Sequence, residues 1–307
     1  MPGGARPAPR GARLEVEVRP PWPYRLPASG GGDAVMRVRR GIVIRLLHVD
    51  GAPVLVRAAQ RRDGEVRMRA DGELAESRQV AIERMRFALG VDDDYRPLYD
   101  RFRSDPLLGP AIRRRPWHRP RRRPWPWEAL AWAITKQLIE SSRAAQIQRR
   151  IVFRWGSQAE GPDGARLRDV PTPELIAGCA PAELAAMDLA PARALALIRA
   201  AREVAKGRVD PADPAGDRRL LAIREIGPWT VQCLGLYGRG EPDSLPAGDL
   251  DYVKLVGRLA GLGRRATVGE VEEFFAPYVP YRGLAGSLIL AAYHKTIASG
   301  PPLRLAA

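Results

Sequence analysis

Between Ile223 and Lys254 the chain reads IREIGPWTVQCLGLYGRGEPDSLPAGDLDYVK, and two of its residues, Asp249 and Asp251, are carboxylates placed shortly after a Gly-Pro break. The chain of 307 residues carries 50 Lys and Arg against 35 Asp and Glu, a formal charge of +15. That excess, nearly all arginine, points to a polyanionic partner, because neutralising phosphates releases condensed counterions. A GC-rich genome that writes Arg for Lys would give the same excess without a function. In a groove built for a polyanion a carboxylate repels the ligand, so an acid there usually has a chemical task. Asp249 also precedes the amphipathic run LDYVKLVGRL, where it would cap a helix, and the two roles are compatible. Asp251 lies two residues further on, about 200° around the helix from Asp249, and is expected on the helix surface outside that site.

The break IREIGPWT supplies a second piece of chemistry. A short hairpin between two helices leaves the first N–H groups of the second helix unpaired, and with the helix dipole they attract an anion such as a phosphate. Gly227 lets a backbone approach closely, and Pro228 suits the first helical position. The alternative is that the glycine only lets the two helices pack.

These residues need a scaffold, and the chain is long enough for two domains. Residues 1–12 are expected to be disordered. From 13 to about 90 the pattern has period two, as in EVRMRAD, with a turn at Asp50-Gly51, followed by a helix from near Glu76 to Leu89 that stops at Gly90. This predicts a small antiparallel sheet with one wet, basic face plus a helix. Residues 91–127 are expected to form a helical and basic Pro-Arg-Trp connection; between Arg113 and Arg123 it holds seven arginines, one histidine and no acid, and prolines at 116, 120, 124 and 126 keep that part extended. Arginines interleaved with Trp117, Trp125 and Trp127 can grip phosphates and stack on bases, or the tryptophans can plug a domain edge.

From 128 to 307 the pattern is helical throughout. WEALAWAITKQLIESSRAAQIQRRIVFRWG puts Leu130, Ile134, Gln137 and Ser141 on one stripe, so a polar pair there needs a partner or a cavity. A later helix is expected to turn Leu195, Ile198, Ala201 and Ala205 inward and stop at Gly207; Thr267 and Glu270 form a capping box. The two cysteines, Cys179 and Cys233, exclude a disulfide scaffold, a zinc finger and a four-cysteine cluster. No run of about 18 apolar residues and no apolar signal region occurs, so a cytoplasmic protein is expected. No fixed-period repeat is present.

The order of these motifs resembles one family. IGPWT, followed twenty residues after its Trp by the Asp of LPAGDL, is similar to the signature of the helix-hairpin-helix DNA glycosylase superfamily, and most of all to the 3-methyladenine DNA glycosylase II (AlkA-like) family. WEALAWAITKQLI resembles that family's FEALVRAILGQQV helix, and PYRGLAGSLILAAY its C-terminal PWRSYA helix. The resemblance covers about residues 76–300 and implies an α+β fold: a small sheet domain followed by an all-α glycosylase domain. It implies a monomeric, nucleoid-associated base-excision repair enzyme that flips alkylated purines out of double-stranded DNA and hydrolyses their N-glycosidic bonds, with no membrane partner; the alternatives are a catalytically weak DNA-binding protein of the same fold and a glycosylase for deaminated or oxidised bases.

Carried over residue by residue, the resemblance makes Asp249 the catalytic carboxylate that stabilises an oxocarbenium-like sugar. It makes Gln137 and Leu138 the residues that fill the gap left by the flipped nucleotide. Ile226, Gly227 and Thr230 become the phosphate-holding hairpin, with no required cofactor and room for a monovalent cation. Arg121, Arg122 and Arg123, at the end of the basic run, are candidate DNA contacts. Trp229, Cys233 and Leu290 become the base pocket. Superfamily members that also cut the strand carry lysine where this chain has Trp229, so the reaction is expected to stop at base release. Glu225 stands where the family's PGIG hairpin has its first glycine. His48, His118 and His294 lie outside these motifs.

Overall fold

The structure is a computed structural model and describes residues 6–7, 12–161 and 164–299. Five strands, β2 (Arg13–Val18), β3 (Met36–Arg39), β4 (Ile42–Val49), β5 (Ala52–Gln60) and β6 (Val66–Asp71), form an antiparallel sheet in the order β2-β6-β5-β4-β3. Alternation decides its inner face: Val66, Met68 and Ala70 are buried and pack with Val43, Leu47 and Val54 beneath helix α1 (Ala75–Leu89), which contributes Ala81, Ile82 and Met85. Asp50 and Gly51 both have positive φ, as a two-residue hairpin turn requires, and Gly90 closes α1 in the left-handed region.

The opposite face is basic but only partly wet. Arg67 pairs with Glu17, and Arg69 with Asp71. Beside them, Leu46 and Leu55 pack on Ala159 and Leu167 of two short strands, β7 (Gln158–Glu160) and β8 (Arg166–Arg168). These strands interrupt the stretch after Trp127 that was expected to be all-helical. The two-residue strand β1 (Arg6–Pro7) pairs in parallel with β7, so that pair is not disordered as the first dozen residues were expected to be; the rest of that stretch, save Ala12, lies outside the described residues.

The helices divide between two cores. One gathers α4 (Pro126–Lys136), α5 (Ser141–Trp155), α6 (Pro173–Ala177), α7 (Pro181–Ala185), α8 (Pro191–Ala205), α9 (Asp217–Leu221) and α10 (Pro228–Leu234) around Trp127, Leu130, Ile134, Ile151 and Leu197. In α8 the buried residues are Ala194, Ala196, Leu197, Ile198, Ala200 and Ala201, whereas Leu195 is exposed: the buried face is broader than the expected stripe and shifted from it, because α8 packs between α4, α6 and α7. The second core joins α11 (Leu250–Leu259), α12 (Val268–Phe275) and α13 (Arg282–Ser299) to α2 (Arg96–Phe102) and α3 (Leu108–Arg114), so half of the expected connection is built into the helical body. The Thr267/Glu270 capping box forms as expected. Among the described residues no helix is long and apolar enough to cross a membrane.

From 115 to 125 the chain is extended, and most of its cations are spent on the protein itself. Arg119 lies over the Tyr95 ring at 4.4 Å and donates to the Gly90 carbonyl; Arg122 pairs with Asp93; Arg123 donates to Asp33 at 2.7 Å and Glu128 at 3.1 Å. Arg25 stacks on Trp117 at 3.6 Å, and the Trp127 indole donates to the Pro171 carbonyl. His118 meets the Ser287 hydroxyl at 2.9 Å, and burial together with Arg115, Arg119 and Arg121 lowers its pKa to about 4, so it is neutral at pH 7.

Sheet and helices are joined by a buried ionic network. Arg45, on β4 and 2% exposed at its side chain, pairs with Glu128 of α4 at 2.8 Å, itself 1% exposed, and with Asp169 at 2.9 Å. Removing the shared cation leaves carboxylates buried with less compensation. Arg45→Met is therefore expected to lower unfolding stability by about 3 kcal/mol, read as a shift of the urea midpoint; an unchanged midpoint would show that the network does not fasten the two layers.

Candidate active site

Asp249 sits at the junction of a loop and α11 and does two things at once. Its Oδ1 accepts the Asp251 amide at 3.1 Å, which caps the helix, and its Oδ2 meets Lys136 Nζ at 3.4 Å. The half-buried carboxylate opens on a cavity of about 630 Å³ walled by the end of α4, the loop that follows it, the hairpin before α10 and the start of α11. Asp251 borders the same cavity and is half-buried. The expectation that it would lie outside the site fails because the start of α11 points its first turn into the cavity rim, where both residues reach.

The hairpin forms where the sequence places it. Gly227 is the residue before α10 and Pro228 its first residue. A Cβ on Gly227 would meet nothing within 4 Å, so packing inside the chain does not require a glycine; the space lies open toward the cavity. Among the described residues the Gly227 and Trp229 amides have no backbone acceptor, which leaves two donors at the start of the helix. Glu225 adopts φ 75°, a conformation glycine takes without strain and glutamate does not. Ile226 and Thr230, by contrast, turn inward: the Ile226 side chain belongs to the core, and the buried Thr230 hydroxyl accepts from Gln137. Thr230 nevertheless lines the cavity, whereas Ile226 does not, so the Ile226 side chain takes no part in its wall.

Opposite the hairpin, α4 ends at Lys136, one residue before the expected polar stripe begins. Gln137 to Glu140 form a turn instead of a continuous helix. The reason is visible in Gln137: its Nε2 donates to the Glu225 carbonyl at 2.6 Å and to Thr230 Oγ1 at 2.8 Å, while Arg193 donates to its own carbonyl at 2.7 Å. The polar group thus finds the partner it needs on the hairpin. Leu138 follows at the tip with φ 56° and is 99% exposed, an unfavourable backbone for a bulky residue and an unfavourable place for an apolar one. Leu250, also exposed, stands on the same rim.

The expected base pocket is only partly assembled. Trp229 lines the cavity, and its buried indole N–H has no partner among the described residues. Cys233 is buried next to the Lys136 and Asp249 charges; burial first, and then Asp249, push its thiol up while Lys136 pulls it down, so it stays a neutral thiol. Leu290 is not in the pocket: it packs on the second helical core, because α13 lies against α3 rather than across the cavity. Of the three arginines expected to contact DNA, Arg122 and Arg123 are engaged in the ion pairs described above and only Arg121 is exposed. The side chain of His294 is outside the described ones; His48 binds Asp169 far along the sheet.

Three residues near Asp249 were not singled out in the sequence. Lys136 pairs with Asp249, and Tyr237 and Tyr252 sit within electrostatic reach of it, their phenols held neutral first by burial. A lysine at a helix end reads as a solvated one. The one signal was that KQL stands where the family pattern has GQQ.

No family profile matches the chain. It is 26% identical over 201 residues to the DNA-3-methyladenine glycosylase of Bacillus subtilis, a match covering 64% of this chain and 66% of that protein. It is 26% identical over 226 residues to a probable bifunctional transcriptional activator/DNA repair enzyme AlkA of Mycobacterium tuberculosis, covering 73% of this chain but 45% of that protein. The chain thus spans roughly half to two thirds of the curated relatives it matches. In structure it is similar to a 3-methyladenine DNA glycosylase of Archaeoglobus fulgidus, with a TM-score of 0.75, 20% identity and coverage of 92% of this chain and 98% of that one. It is also similar to an 8-oxoguanine glycosylase/lyase of Clostridium acetobutylicum, with a TM-score of 0.63, 15% identity and coverage of 84% and 98%. The hairpin and the Asp249 that follows it agree with these likenesses: the chain is similar in sequence to proteins named DNA-3-methyladenine glycosylase and AlkA, and it shares the fold of the 3-methyladenine DNA glycosylase of Archaeoglobus fulgidus.

Proposed function

We propose that this chain is a DNA glycosylase of base excision repair that flips an alkylated purine, of the 3-methyladenine or 7-methylguanine class, out of duplex DNA and hydrolyses its N-glycosidic bond. The observation that carries the reading is a half-buried carboxylate, Asp249, facing a base-sized cavity with a fully exposed leucine on its rim. Leu138 is placed to enter the helix where a nucleotide leaves it; the apolar contact offsets unstacking, which costs a few kcal/mol per step. The Gly227 and Trp229 amides then receive a backbone phosphate. As the C1′–N bond breaks, positive charge grows on the sugar and Asp249 stabilises it, after which water adds at C1′ and gives its proton to solvent. A base alkylated at N3 or N7 is cationic and departs as a neutral molecule, so no strong general acid is needed.

The hairpin position that carries lysine in strand-cutting relatives is Trp229, which supports a reaction ending at the abasic site. A monovalent cation at the hairpin would have to share carbonyls already in use: that of Ile223 accepts from Ile226, that of Glu225 from Gln137, and that of Gly227 from Thr230. Each of these carbonyls keeps a second lone pair with which it could hold such an ion, and no step above is routed through one.

Asp249→Asn keeps a capping side chain but loses the charge, so release of 3-methyladenine or 7-methylguanine from methylated duplex should fall about 10²- to 10³-fold with stability nearly unchanged. Equal release by both proteins would remove Asp249 from the mechanism. Leu138→Ala should weaken binding to duplex with an abasic-site mimic about tenfold while leaving the urea midpoint within about 0.5 kcal/mol of the parent, because the side chain touches solvent. Retained affinity would mean that Leu138 is not a wedge. Arg121→Ala should lower the slope of log K against log salt by about 0.9 if this arginine meets a phosphate, and an identical slope would remove Arg121 from the DNA contacts.

A further inference from the structure

A second cavity, of about 580 Å³, lies on the outer face of the sheet where β3, β4 and β5 meet the start of β8, and none of its residues lines the Asp249 cavity. Strand register builds it. Arg37 of β3 stands opposite Ile44 of β4, which stands opposite Arg57 of β5; in the next row Arg39 stands opposite Ile42. Opposed residues share a face, so the isoleucines form a floor between arginine rims, and Arg40, in the turn to β4, extends the rim. Ile42 is 37% exposed, although Ile44 beside it packs with Leu46, Leu55 and Leu167. The charge here is not spent as it is in the extended crossing. Arg57 is answered by Asp71 and Arg37 donates to the Arg166 carbonyl at 2.5 Å, but Arg40 has no ion pair and no carboxylate lines the groove among the described residues. Close by, burial first and then the Arg166 charge lower the Arg168 guanidinium, as happens where cations crowd.

We propose that this groove docks an acidic peptide segment of a partner protein, one that carries large apolar anchors among its carboxylates. Each half of the lining asks for half of that chemistry. Arginine forks match carboxylates in planar, bidentate pairs, and an exposed isoleucine floor is taken out of water favourably only by an apolar side chain. A nucleic acid strand would satisfy the arginines alone. No aromatic residue lines the groove to stack a base, and the isoleucines would face a hydrated backbone. A segment laid here leaves the Asp249 cavity open, so docking and base release are compatible.

The probe is a short fluorescent peptide of aspartates interrupted by one isoleucine and one leucine, and its binding to the full chain is followed by anisotropy. It should bind with a Kd on the order of 10 µM. A peptide of aspartates alone, with the same charge, should bind at least about tenfold more weakly. Arg37→Gln/Arg40→Asn and, separately, Ile42→Thr should each weaken the mixed peptide about tenfold. Asn tolerates the left-handed backbone of Arg40, with φ 50°, and Thr keeps the β-branched shape of Ile42, so both variants should fold. Base release from a short methylated duplex should be the same in parent and variants; a fall would overturn the separation of the groove from the Asp249 site. No binding by the parent, or equal binding by parent and variants, overturns the proposal. Equal binding of the two peptides, or displacement of the mixed peptide by undamaged duplex at matched charge, makes the groove a bare polyanion surface and overturns the choice of occupant. Because peptide binding is read without catalysis, failure of the glycosylase reading leaves this one standing, and the reverse.

Discussion

The side-chain amide of Gln137 is the contact on which the site depends. By donating to the Glu225 carbonyl and the Thr230 hydroxyl, it ties the end of α4 to the hairpin ahead of α10, two segments 88 to 93 residues apart in sequence. Without that bridge the α4 helix has no reason to stop at Lys136, since Leu138 and Ile139 are ordinary helix formers. With it, the chain turns outward, Leu138 is held in the left-handed region at the tip, and Lys136 is left at the last helical position facing Asp249. A hydrogen bond of this kind contributes only about 1 kcal/mol net to stability, yet it sets the positions of the rim, the floor and the carboxylate together.

The basic charge of the protein is distributed in a way that its total conceals. Much of the arginine in the extended crossing is neutralised internally, with Arg122 on Asp93 and Arg123 on Asp33 and Glu128, and Arg45 is buried between Glu128 and Asp169. Burial raises the Asp169 carboxyl, but the His48 hydrogen bond and the Arg45 charge outweigh it and hold the group below its ordinary value. Arginine suits this use because its planar fork satisfies two carboxylates at once. The field left over for a polyanion is smaller than +15 implies, and it comes from exposed residues such as Arg121.

Two of the non-glycine residues in the left-handed region stand at the cavity. Glu225 and Leu138, both with positive φ, lie within the walls of the same opening, and each is held by a neighbour's hydrogen bond to its own or the adjacent residue. Left-handed backbone at residues with side chains persists where surrounding structure determines it. The Glu225 position therefore keeps the hairpin's shape although glycine is gone, and it adds a carboxylate to the cavity mouth.

The sequence by itself determined the sheet-then-helices architecture, the capping box, the hairpin and the aspartate that follows it. Each of these is written in local periodicity, in capping residues or in a motif whose spacing along the chain is fixed by one turn. What tertiary structure alone decided are the partnerships: that Arg122 and Arg123 are tied inward, that Leu290 belongs to the far core, that Ile226 turns away from the cavity, that Asp251 shares its rim, and that Lys136 answers Asp249. Asp249 and Lys136 are 113 residues apart. No pattern of period two or 3.6 carries information about which surface a side chain meets when two helices from distant segments pack, because that is set by crossing angle and loop path.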